Sequence, residues 1–163
     1  MATLSFDGWK LNLHFSAAHC IPFHHKCERL HGHHYAVHAE IEGELDPETG
    51  WIMDFTPVKQ ALKRIADELD HRVIIPTSPG RVTHKVEGNV VHMGIMGKSY
   101  VFPKEDCALV PIPTSTAEHL AAHLLSRVLA TVAFPATVKA VRVGVDEGYG
   151  QGAWTGWTSV SRQ

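Results

Sequence analysis

Cys27-Glu28-Arg29-Leu30-His31-Gly32-His33 is the stretch from which the fold can be read, because its two terminal histidines are separated by a single glycine. In an extended chain, residues two apart leave the same face of a strand, so His31 and His33 point together while Gly32 keeps the opposite face free of bulk. His19 upstream supplies a third imidazole. Three neutral protein ligands with one position left open is the arrangement of a catalytic rather than a structural zinc. Cys27 stands four residues before His31. It reads either as an ordinary buried thiol or as a base, since a nearby cation favours the thiolate.

Working outward, Trp9, Leu11, Leu13 and Phe15 alternate with Lys10, Asn12 and His14, which predicts a half-buried strand leading to His19. After the polar loop 20–30, Tyr35, Val37, Ala39 and Ile41 alternate with His34, His38, Glu40 and Glu42. His31 and His33 share the inward, odd-numbered side of this second strand. His24 and His25 are expected in a polar loop, and His34 and His38 on an outward strand face. Residues 43–50 read as a turn, and 51–55 as a short strand. A helix follows, with Thr56 as N-cap, Pro57 at the first helical position and Val58, Leu62, Ile65, Ala66 and Leu69 at helical spacing, ending near Asp70-His71. The segment 72–113, punctuated by Pro and Gly, reads as an elaborated hairpin insertion. A second helix from about Ser115, an alternating run through Val141, Val143 and Val145 toward Glu147, and a last strand over 154–160 complete one domain spanning 1–163.

Composition excludes several function classes. The 163 residues are 44% hydrophobic with a formal net charge of -2 and no basic run, so a sequence-independent grip on nucleic acid is not expected. No cationic start precedes an apolar stretch, and no run of about eighteen apolar residues occurs, so a soluble, cytoplasmic protein without a membrane partner is expected. Three cysteines without a close pair argue against a disulfide framework and against a thiolate zinc knuckle. Thirteen histidines are the compositional outlier.

Three acidic positions carry alternatives. Asp70-His71 is either a helix-terminal pair or a carboxylate-oriented histidine in proton transfer. Ser115-Thr116-Ala117-Glu118 fits a capping box, in which Glu118 ties off a helix start. Glu147 ends an inward run of valines, so its carboxylate requires a partner, for which a heterocycle with adjacent N–H donors is suited.

These residues together resemble the 6-pyruvoyl-tetrahydropterin synthase family, and within it the bacterial 6-carboxy-tetrahydropterin synthases of queuosine biosynthesis. The resemblance rests on Phe15-Ser16-Ala17-Ala18-His19, the Cys27 to His33 run, the stretch from Gly43-Glu44-Leu45-Asp46-Pro47 to Trp51-Ile52-Met53-Asp54-Phe55, Leu69-Asp70-His71, and Thr116-Ala117-Glu118-His119-Leu120-Ala121. It implies an α+β T-fold: an antiparallel sheet with two helices on one face, subunits associating into a β-barrel, active sites between subunits, and a homohexamer of two trimers. It further implies that His19, His31 and His33 hold zinc, that Cys27 is the proton acceptor, that Asp70 and His71 assist the relay, and that Glu147 anchors the pterin, with Asp146 as the alternative anchor and Glu118 nearby. The implied substrate is 7,8-dihydroneopterin triphosphate, with Arg29, Lys85 and Lys98 as candidates for its phosphates. The implied products are 6-carboxy-5,6,7,8-tetrahydropterin, acetaldehyde and triphosphate, formed without a redox cofactor. Glu28 opens the nearest alternative, because in some relatives a glutamate at this motif accompanies release of 6-hydroxymethyl-dihydropterin. A 6-pyruvoyl-tetrahydropterin synthase activity is a second alternative, and a non-catalytic pterin-binding zinc protein is the alternative of another class.

Overall fold

A computed structural model describes residues 1–159 of the chain. The first half runs β1 (Ala2–Phe6), β2 (His14–His19), β3 (His31–Gly43), α1 (Thr56–Leu69) and β4 (Arg72–Pro76). The second half runs β5 (Val82–Glu87), β6 (Val90–Ile95), β7 (Lys98–Pro103), β8 (Cys107–Val110), α2 (Ala117–Thr131), β9 (Val138–Glu147) and β10 (Gly152–Thr158). β3 is the spine. β2 and β1 pair antiparallel with its first and last parts along one edge, β9 pairs antiparallel along the other, and β10 extends the sheet beyond β9. On the far side, β4 joins β2 and β8 joins β4 in parallel, so the sheet is mixed rather than wholly antiparallel.

The alternation of β3 explains which face the helices cover. Tyr35, Val37, Ala39 and Ile41 are fully buried and share one core with Val58, Leu62 and Ile65 of α1 and with Leu120, Leu124 and Val128 of α2. Burying each such side chain contributes about 1.5–3 kcal/mol. A second, smaller core lies where one face of the β5–β6–β7 sheet packs Val82, Val91, Met93 and Ile95 against Cys20, Ile75 and Cys107. Among the described residues, no helix is long and apolar enough to cross a membrane.

Several local expectations fail, each for a physical reason. Residues 9–15 are not a continuous strand: the Asp7 carboxylate accepts the N–H groups of Trp9 and Lys10, and the chain winds through a turn with Asn12 at φ +58° before β2 begins at His14. Short-range Asp side-chain bonds of this kind override alternation. Residues 51–55 form no strand, since neighbours Ile52 and Met53 are both buried while Trp51 and Phe55 are exposed, a pattern without period two. Their function is to start α1: Phe55 holds the N-cap position, and the Asp54 carboxylate, not Thr56, accepts a helix-starting N–H, that of Thr56 itself. β1 has no counterpart in the sequence reading. The segment 72–113 is not one hairpin, because its ends, β4 and β8, belong to the main sheet and only β5–β7 form a separate meander. The last strand spans Gly152–Thr158, and Val160 lies outside the described residues.

Gly8 crosses β3 so closely that a Cβ would overlap the Val37 carbonyl, and its N–H donates to His38 Nδ1 at 3.1 Å. His38 lies on the outward face of β3 as expected but is buried there as structural polarity, and its Nε2 faces the Asp146 carboxylate at 3.2 Å. Gly8→Ala is expected to lower stability by about 1–3 kcal/mol, read as a lower urea midpoint with unchanged slope. An unchanged midpoint would show that the crossing adjusts freely.

Candidate active site

Strand register assembles the site. In the antiparallel β2–β3 pair His19 lies opposite His31 and Ala17 opposite His33, while in the β3–β9 pair Tyr35 lies opposite Glu147. Opposed residues share a face, so His19, His31, His33, Tyr35 and Glu147 all project to one side. One ligand atom of each of the three histidines lies within 4.8 Å of the others, the only such group of three among the described residues.

The backbone sets the tautomers. His19 Nδ1–H donates to the Ser115 carbonyl at 2.9 Å, and His31 Nδ1–H donates to the Arg29 carbonyl at 2.7 Å. Each imidazole is thereby left with its Nε2 lone pair facing inward, the outer-shell arrangement that prepares histidine for a metal. His19 Nε2 is fully buried without a hydrogen-bond partner. An orphaned buried acceptor in a cluster of neutral imidazoles is a donor set suited to a divalent cation such as zinc.

Beside this group lies a cavity of about 310 Å³ lined by Cys27, Glu118 and Glu147 together with His24, Thr116 and Gln151. Cys27 reaches it from a 3₁₀ turn, His25–Glu28, whose Cys27 N–H donates to the His24 carbonyl at 2.8 Å. Glu118 reaches it from the first turn of α2. The expected capping box does not form: Thr116 is the N-cap and its hydroxyl accepts from His119 N–H, while Ser115 is buried and donates to the Cys20 carbonyl. Glu118 is thus released from capping. Glu147 Oε1 stands 3.4 Å from His19 Nε2 and 3.9 Å from His33 Nε2. Asp146 points to the other face, where it accepts from Trp9 Nε1 at 2.8 Å, so its side chain is already committed.

Three expected residues lie apart from that cavity. Asp70 accepts the Ser16 N–H at 2.8 Å and pairs with His71 Nδ1 at 2.8 Å, but His71 is largely exposed and lines a different depression with Ser16, Gly32, His33 and His34. Glu28 does not line the cavity either, and its carboxylate pairs with Lys98 at 3.4 Å. Lys85 pairs with Glu87. A larger depression, about 920 Å³ between residues 11–13 and the outer side of α1, contains none of the histidines of the group. Two participants escaped the sequence reading. Tyr35 was counted as core, although a buried phenol needs a polar partner; its hydroxyl donates to Glu147 Oε1 at 3.5 Å and lies 3.2 Å from His19 Nδ1. Gln151, in the turn before β10, carried no signal.

Electrostatics favour the neutral forms of His19 and His33. Burial pushes His19 down from 6.5 to about 4, reinforced by His31 and His33. Burial also lowers His33, opposed by the Glu147 charge. Tyr35 is pushed up by burial and then by Glu147, so it remains a phenol. Asp70 is held low by the Ser16 N–H and then by His71. Because folded His19 resists protonation, the unfolded chain binds more protons between pH 6.5 and 4, and the metal-free protein loses stability as pH falls through that window. The His19 contribution is about 3 kcal/mol. Urea unfolding of metal-free protein at pH 7 and pH 4, set against His19→Gln, should show the variant with the shallower pH dependence; equal slopes would mean that His19 protonates in place.

Comparison with known proteins matches the chain to one family. The sequence model described as 6-pyruvoyl tetrahydropterin synthase covers residues 10–156. A Methanocaldococcus jannaschii protein provisionally named 6-carboxy-5,6,7,8-tetrahydropterin synthase is 34% identical over 92% of this chain and 93% of its own. The Rickettsia bellii 6-carboxy-5,6,7,8-tetrahydropterin synthase is 29% identical over 71% and 75%. Among solved structures, a Plasmodium vivax 6-pyruvoyltetrahydropterin synthase, described as a catalytic-residue mutant with a glutamate changed to alanine, superposes with a TM-score of 0.87 over 97% of this chain and 98% of that one, at 25% identity. The chain is a member of the 6-pyruvoyl tetrahydropterin synthase family, with its α+β T-fold.

Proposed function

We propose that this protein is a zinc-dependent carbon–carbon lyase that converts 7,8-dihydroneopterin triphosphate and one water to 6-carboxy-5,6,7,8-tetrahydropterin, acetaldehyde and triphosphate, in queuosine biosynthesis. The observation that carries the reading is the group His19, His31 and His33 beside a cavity lined by Cys27, Glu118 and Glu147, with Glu147 joining the two at 3.4 Å from His19. The names of the archaeal and rickettsial relatives support the substrate class. His19, His31 and His33 would hold the zinc, which would supply Lewis acidity toward the substrate's side-chain hydroxyls.

The residues divide the remaining work. Glu147 accepts the adjacent N–H donors of the pterin ring, and the Tyr35 phenol donates to the same carboxylate and holds it in place. Glu118 lines the same cavity. The Cys27 thiolate takes a proton at the side-chain carbons and returns it as the triphosphate leaves and the chain is cleaved. Asp70 orients His71 through its Nδ1, leaving Nε2 for proton exchange. Because His71 faces a separate depression of its own chain, its part in the relay belongs to a site shared between subunits, in keeping with a homohexamer built from two trimers. The protein acts as one domain in the cytoplasm.

Glu28 supports a second reading. The Plasmodium vivax relative is described with a glutamate as its catalytic residue, and here a glutamate directly follows Cys27. A carboxylate base acting on the hydroxyl of the second side-chain carbon would break the bond to the first, the electron pair passing to the first carbon and being protonated. That cleavage gives 6-hydroxymethyl-dihydropterin and glycolaldehyde triphosphate.

Incubating zinc-loaded protein with 7,8-dihydroneopterin triphosphate and identifying products by mass tests the reading. The 6-carboxy product is expected; 6-hydroxymethyl-dihydropterin as the main product would select the second reading, and bound but unconverted pterin would remove both. Cys27→Ala is expected to cut turnover by about 10²–10⁴-fold with zinc stoichiometry intact, whereas His31→Ala should lose metal and activity together. Zinc loss in Cys27→Ala would make the thiol a ligand.

A further inference from the structure

Glu28 and Cys27 are neighbours in sequence, yet only Cys27 lines the substrate cavity. In a 3₁₀ turn, successive side chains diverge by about a third of a revolution, so the turn His25–Glu28 points the two groups in different directions. The direction taken by Glu28 is secured from outside the loop. Lys98 Nζ donates to Glu28 Oε2 at 3.4 Å, with the Glu28 side chain only 20% exposed.

The position of Lys98 is itself well determined. It opens β7 directly after the tight turn Met96-Gly97, both at positive φ, and pairs with Ile95 across the hairpin. That hairpin is bolted down by Val91, Met93 and Ile95 packing on Cys20, at the start of the Cys27 loop, and on Ile75. A second cation of the same segment, Arg81, lies over the Phe23 ring at 5.3 Å, so the meander grips the loop at two points.

We infer that Lys98 is a positioning residue that holds the Glu28 carboxylate outside the substrate cavity, leaves proton abstraction to Cys27, and so makes the β5–β7 meander a determinant of which product is released. The inference rests on the proposed pterin lyase activity. Removing the Lys98 charge frees Glu28 to turn toward the reacting side chain, where a carboxylate favours the aldol-type cleavage set out above.

The test is the ratio of 6-hydroxymethyl to 6-carboxy product in zinc-loaded wild type, Lys98→Met, Lys98→Arg and Lys98→Met/Glu28→Gln. Lys98→Met is expected to raise the ratio about fivefold, the scale set by one partly exposed ion pair. Lys98→Arg should keep the wild-type ratio, and the double variant should return to it. Zinc content and Tm report folding, and Lys98→Gln replaces the methionine variant if that one fails to fold. A ratio unchanged in the charge-removing variant overturns the inference. A raised KM at constant ratio would overturn it equally, making Lys98 a phosphate ligand. So would a shift that persists in the double variant, or a wild type that already releases mainly the hydroxymethyl product. Absence of any pterin product from wild type would instead defeat the underlying activity, which separates the two failures.

Discussion

The register of β3 against its two neighbours is the constraint on which the site depends. β2 supplies His19 opposite His31, and β9 supplies Glu147 opposite Tyr35, so five polar side chains from three strands meet on one face. Side-chain direction has a period of two, so a one-residue slip at either junction would send His19 or Glu147 to the opposite face. The slip is prevented by the same strands' apolar positions: Phe15, Tyr35, Val37, Val143 and Val145 are buried in the helix-covered core, and sliding any strand would expose its share. Core packing and active-site geometry are therefore one specification.

Around that frame, polar partners are divided between the two faces of the sheet. On the helix side, backbone carbonyls of Ser115 and Arg29 take the Nδ1–H groups of His19 and His31 and leave lone pairs for a cation. On the other side, Asp146 engages Trp9 and faces His38, which in turn accepts the Gly8 N–H. The adjacent acids Asp146 and Glu147 thus have opposite environments: one closes a structural network, the other overlooks the imidazoles. A buried carboxylate without such a partner would be costly.

Much of this was legible in the chain. The alternation in β3 and β9, the two helices, and the same-face pair His31 and His33 all follow from period-two and period-3.6 patterning, because burial on one face leaves its mark on composition. What misled were residues whose short-range alternatives beat the pattern. Asp7 turned an alternating run into a loop, Asp54 took over the start of α1 from Thr56, and Thr116 rather than Ser115 capped α2. Each is a side chain bonding to nearby backbone, a choice decided by tenths to a few kcal/mol and invisible to hydrophobic periodicity. His38 is on the outer face of β3 but is buried for another reason: Gly8 donates to it and the Trp154 ring lies 5.8 Å away, a cover that comes from distant parts of the chain.

By itself, the sequence determined the chemistry available: three imidazoles, a thiol, and acids at Glu28, Glu118, Asp146 and Glu147, on elements whose type the periodicity reveals. Tertiary structure alone decided which of these groups share a space. Cys27, Glu118 and Glu147 line one cavity, His71 faces another, and Glu28 is drawn aside by a lysine seventy residues away in sequence. The physical reason is that periodicity records only whether a side chain faces apolar surroundings, whereas the partner of a polar group is fixed by strand register and by loops closing over long separations, which no local pattern encodes.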